Sequence, residues 1–172
     1  MSALAQVLEE REAEILQAWM ARVRQHLMAE SRTQAELEDH LPLLLRRLQA
    51  ALRDGTSLSD PASSRSGTQG VGREHGAQRF RLGFELGMLV REYGLLSDVL
   101  LELIIREGLQ VPLQDVRRMS HFMSMAVAEA VEEHSRQETE QARAAVLDAL
   151  AVQSLVGVSY LRGPEHVTQM AN

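Results

Sequence analysis

Apolar residues recur at helical spacing over residues 4–28, where Ile15, Leu16, Trp19, Met20, Val23 and Leu27 share a stripe with Glu and Arg between them. The pattern predicts one long amphipathic helix. A second helix opens with Thr33 and Glu36, the reciprocal spacing of a capping box, and carries Leu37, Leu41, Leu44, Leu45, Leu48 and Leu52 before Asp54-Gly55 stops it. Pro42 either kinks that helix or restarts it at a first-turn position. Residues 54–72 are of another kind: 14 of the 19 are Gly, Ser, Thr, Pro or Asp, which predicts a mobile loop. A short helix is expected over 73–81, a break near Gly83, and a helix over 85–106 ending at Gly108. In this last helix apolar residues cover most of the circumference, with Arg91, Asp98 and Glu102 sharing the remaining sector, so it belongs at the centre of a bundle.

Pro112 stands where a first-turn proline belongs, and helical character then runs without Gly or Pro to about Leu150. Val116, Met119, Phe122, Met123, Ala126, Val127, Ala130 and His134 fall on one face. Beyond His134 the stripe thins into Glu138, Gln141, Ala145 and Leu147, the profile of a helix that leaves its domain as a connector or coiled coil. Residues 156–161 and 167–170 change period and predict two short strands around a turn at 162–166, an ending that reads as the first hairpin of a further domain.

Composition narrows the chemistry. The 172 residues suffice for one domain with a packed core, and a hydrophobic share of 45% with only 3% aromatics favours helix over sheet. All 18 basic residues are Arg, which excludes a Lys-based mechanism, and the net charge of -6 argues against nucleic acid or an anionic membrane as partner. With no Cys there is no thiol nucleophile and no Cys-ligated metal. An opening without an apolar run predicts a cytoplasmic protein. The six His are the only candidate metal, haem or phosphoacceptor groups. His26, His40, His121 and His166 read as surface residues, and His134 as a helix-seam residue that Glu138 can pair with, one His and one Glu being too few for a metal site. His75 is the one candidate axial haem ligand, and its neighbours Arg73, Glu74, Gly76 and Gln78 are too polar for a haem pocket. No HExxH, P-loop, dinucleotide or hydrolase motif occurs, so the expectation is a non-enzymatic chain with no cofactor and no metal.

Residues 73–96, with Arg73-Glu-His75, Arg79, Phe84 and the run Leu89-Val90-Arg91-Glu92-Tyr93-Gly-Leu95-Leu96, resemble the N-terminal domain family of RsbRD-type RsbT co-antagonists, as do the Trp19-containing first helix and the Leu-rich second. The resemblance covers about residues 4–140. It implies an all-α, globin-like helical bundle without haem that dimerises and relays signals to stressosome-type outputs or to PAS and histidine-kinase domains. It marks Trp19, His75, Arg79, Phe84, Arg91, Glu92 and Tyr93 as signature residues of structural weight. Tyr93 should be buried, with its hydroxyl in need of a partner. Residues 156–172 resemble the start of a PAS domain. The expected organisation is therefore a sensor domain over 1–140, a connector helix over 141–152 and the opening of a PAS domain over 153–172. In it Val127, Val131 and His134 lie on the signalling helix of a homodimer. The expected parent is a PAS-containing sensor histidine kinase; a stressosome-type protein-binding scaffold is the alternative, and a haem or metal sensor a third reading.

Overall fold

A computed structural model describes residues 2–27, 41–54, 70–157, 159–162 and 167–170. Its helices are α1 (Ala3–Glu10), α2 (Glu12–Leu27), α3 (Leu41–Asp54), α4 (Val71–Arg81), α5 (Leu86–Arg106) and α6 (Leu113–Gly157), followed by strands β1 (Ser159–Arg162) and β2 (Val167–Met170). The chain divides into two compact units, Met1–Ser135 and Arg136–Asn172.

The first unit is a helical bundle around one core. The single helix expected over 4–28 is two, because its halves face different neighbours: α1 packs on α3, and α2 on α5. The stripe through Leu4, Leu8, Ile15, Trp19 and Val23 keeps its phase across the break, so periodicity alone does not reveal it. The break falls at Arg11, whose amide still reaches the carbonyls of Val7 and Glu9. Ser2 caps α1 by accepting from the Ala5 amide at 3.3 Å, and its hydroxyl donates to Asp115 at the start of α6 at 2.9 Å. The capping box at Thr33 and Glu36, and His40, lie outside the described residues. So does most of the loop expected over 54–72, but Val71 and Gly72 are not loop: both are buried in the first turn of α4.

Gly83 and Gly108 end α4 and α5 with the same device. Gly83 has a φ of 72°, its amide bonds to Phe80, and the next amide, that of Phe84, reaches back to Arg79. Gly108, with a φ of 60°, and Leu109 repeat the pair of bonds to Ile105 and Ile104. Both are Schellman turns, which need a left-handed residue that glycine alone adopts without steric cost. Pro112 sits just before α6, its carbonyl accepting from the amides of Asp115 and Val116.

Helix α4 presses on α6 through two glycines. A Cβ on Gly72 would lie 2.4 Å from the Ala126 carbonyl oxygen, and one on Gly76 only 2.2 Å from that of Ala130. Only residues without a side chain permit such an approach. Gly72 and Gly76, one turn apart on α4, thus meet Ala126 and Ala130, one turn apart on α6.

In the second unit, residues 136–157 continue as helix and 141–150 are all exposed. Arg136 and Glu140 pair at 2.5 Å along it. Strands β1 and β2 run antiparallel in the register Ser159 with Met170 to Arg162 with Val167. The helix thus outruns its expected end near 150 by about two turns.

Candidate functional site

Helix α4 is polar for its position: its inner face carries His75, Gln78 and Arg79 besides Val71 and the two glycines. His75 and Arg79 are one turn apart and project together toward α5. There they meet Glu92, and all three side chains are removed from water, Arg79 completely. The guanidinium grips the carboxylate with two prongs, Nη2 at 2.6 Å from Oε1 and Nε at 2.9 Å from Oε2. The Nε2 atom of His75 stands 3.1 Å from the same Oε2. The Arg79 Nη1 donates to the Gln78 side-chain oxygen at 3.0 Å, and the Arg79 guanidinium lies 5.0 Å from the centre of the Phe84 ring. The Schellman turn at Gly83 places that ring, because its closing bond runs from the Phe84 amide to the Arg79 carbonyl.

Two aromatic residues close the cluster. Trp19 from α2 donates its indole N–H to the backbone carbonyl of Glu92 at 3.2 Å, and the Tyr93 ring meets His75 edge-on at 5.3 Å. Between them a void of about 10 Å3 is lined by Trp19, Leu41, Leu44, His75, Glu92, Tyr93 and Leu96. Its size is at the lower bound for a single water. Haem does not fit such a space, and His75 already faces a carboxylate.

Burial alone would push the Glu92 carboxyl up, but the facing His75 and the Arg79 guanidinium outweigh it and hold the group below the usual carboxylate range. A carboxylate so held stays ionised and is unsuited to act as a general acid near neutrality. Burial, with the Glu92 charge next to it, pushes the Tyr93 hydroxyl above its ordinary range. That hydroxyl, expected to find a hydrogen bond, has none among the described residues.

The remaining signature positions divide. Trp19, Phe84 and Tyr93 are core, as is His134 on α6. Arg91, adjacent in sequence to Glu92, lies instead on the outer, exposed face of α5 with Asp98 and Glu102. His134 does not turn to Glu138: its Nε2 meets the Phe84 carbonyl at 2.7 Å, and its ring stacks edge-on against Phe80 at 5.3 Å. Val127 and Val131 are half-buried beside it. His26 is exposed and His121 half-buried, while His166 lies outside the described residues. Of the four polar neighbours of His75, only Arg73 and Glu74 face solvent, and Gly76 and Gln78 are buried with it. The pairing of Arg79 with Glu92 has no sequence signal beyond two opposite charges 13 residues apart. Among the described residues no group of three or more His, Asp or Glu is placed to hold a metal ion, and no helix is long and apolar enough to cross a membrane.

Residues 13–153 match the family described as the RsbT co-antagonist protein rsbRD N-terminal domain. The chain belongs to this family. The match takes in the whole ionic cluster and runs from α2 well into the exposed part of α6. No curated protein and no solved structure matches the chain.

Proposed function

We propose that this RsbRD-type domain is a signal-relay module of a stressosome-type signalling protein, not itself an enzyme, in which α4 couples the core of the first unit to α6. The observation that carries this reading is the double anchorage of α4. On one side Arg79 and His75 tie it to Glu92 of α5; on the other Gly72 and Gly76 set its backbone against α6. The turn that follows α4 is fastened to the same helix by the Phe84 carbonyl and His134. Packed interiors transmit displacements because they lack free volume, and here the two backbones touch. A shift of α4 is therefore a shift of α6 between residues 126 and 134.

The finer reading places the output beyond α6 in a PAS domain of a sensor histidine kinase, with the module acting as a cytoplasmic homodimer. The hairpin β1–β2 supports a further domain after the helix. Val146, Leu147 and Leu150, more than half exposed, support cover by another protein surface.

Hydrogen exchange tests the relay. In Glu92→Gln, which removes the charge from the carboxylate that grips Arg79, the amides of residues 122–135 should exchange about tenfold faster, with those of α1 and α3 little changed. Unchanged exchange in 122–135, with faster exchange confined to α4 and α5, defeats the reading.

A further inference from the structure

We propose that the outer face of α5 is a self-complementary interface on which a second copy of this chain packs, α5 crossing α5 in the antiparallel sense about a two-fold axis near Gly94 and Leu95. The inference rests on the self-association just proposed and names its surface.

Gly87, Arg91, Gly94, Asp98, Leu101 and Ile105 are all exposed, and their spacing of four, three, four, three and four residues is that of a seam between helices. Leu101 and Ile105, one turn apart, are 41% and 77% exposed, and Val90, about three turns nearer the start of the helix, is 45% exposed, on a helix whose opposite face is buried.

The glycines of this seam lack an internal reason. Gly72 and Gly76 are explained within the chain, because the backbone of α6 occupies the space a side chain would need. Gly94 is interior to a helix, where glycine is disfavoured relative to every ordinary residue but proline, and Gly87 lies in the first turn of the same helix. Yet among the described residues a Cβ on Gly94 would meet nothing within 4 Å, and one on Gly87 only the tip of Arg91 at 3.9 Å. A groove of about 400 Å3 opens at Gly94 between His26 and Leu27 of α2 and Arg91, Leu95 and Asp98.

Charge decides both the occupant and its orientation. Arg91 and Asp98 are seven residues apart, two turns along the same face, and neither makes an ion pair among the described residues. Their midpoint falls between Gly94 and Leu95. A second α5 laid antiparallel across that point brings Arg91 level with the partner's Asp98 and Asp98 level with the partner's Arg91, two ion pairs from one contact. A parallel copy would set Arg91 against the partner's Arg91. A partner of a single charge sign would satisfy one residue and repel the other.

Sedimentation equilibrium on the 172-residue chain is the test. The wild type should dimerise; Arg91→Asp and Asp98→Arg should each weaken the dimer at least about tenfold, and the double exchange should restore it. Gly94→Gln should weaken it as well. All three positions of change are solvent-facing in one protomer, so far-ultraviolet circular dichroism should show the same helicity in every variant. A dimer that ignores these substitutions but dissociates on Leu147→Glu overturns the α5 interface and keeps the self-association. A monomer at every concentration overturns both. Loss of the dimer in both single variants without rescue in the double overturns the antiparallel pairing.

Discussion

Helix α4 and residues 136–150 of α6 depart from hydropathy in opposite directions. Helix α4 reads Val-Gly-Arg-Glu-His-Gly-Ala-Gln-Arg-Phe-Arg, a polar sequence, and six of its residues are buried. The stretch 136–150 contains Val146, Leu147 and Leu150, and every one of them is exposed. In α4 the polar atoms satisfy one another: Glu92 answers Arg79 and His75, and the glycines let the helix approach α6 closely enough to exclude water. In 136–150 the apolar side chains of Val146, Leu147 and Leu150 stay exposed. Burial follows from available neighbours, whichever residue class is involved.

The largest effect should come from removing one member of the ionic cluster. Glu92→Ala takes the bidentate carboxylate away from the buried Arg79 and should cost about 3–5 kcal/mol in chemical denaturation, whereas the pair Arg79→Met with Glu92→Leu should recover most of that. A single substitution as mild as the pair would show that water reaches Arg79, and α4 would lose its contrast with 136–150. Next comes Gly76→Ala, whose methyl must displace the α6 backbone. It should cost about 1–3 kcal/mol although alanine favours helix elsewhere. In 136–150 the same kind of helix-favouring change is harmless.

Acid sharpens the comparison. The folded state holds Glu92 below the ordinary carboxyl value, so its contribution is complete above about pH 4.3 and is lost as the pH falls through the depressed folded value. Denaturation measured down the pH scale should show that acid loss in the wild type, and Glu92→Gln, which does not titrate, should follow a flatter curve there.

Smaller still is Tyr93→Phe. The hydroxyl is buried without a hydrogen bond among the described residues, so its removal should be neutral or should raise stability by about 1 kcal/mol. A loss beyond 1 kcal/mol, an order-of-magnitude limit, would reveal a bound water in the small void. Least of all, Leu147→Gln should change the stability of the dissociated chain by under about 0.5 kcal/mol, because in one protomer this side chain touches mainly solvent.

Much of this was open to a reading of the pattern. The stripes of α2, α3, α5 and α6 follow from apolar spacing, and their ends from Gly83, Gly108 and Pro112, because caps and periods are local. The run Arg91-Glu92-Tyr93 was legible as a feature of weight, but not its division, with Arg91 outside, Glu92 paired to Arg79 and Tyr93 in the core. The break at Arg11 was hidden because α1 and α2 keep the same stripe while choosing different neighbours.

The sequence by itself determined the class of element, most boundaries and the family, since each depends on residues close along the chain or on their order. Tertiary structure alone decided that a polar helix lies inside, that His75 and Arg79 share one carboxylate, and that Gly72 and Gly76 touch α6. Those facts depend on which groups meet across tens of residues. A buried charge and a solvated one are written with the same letter until packing removes the water.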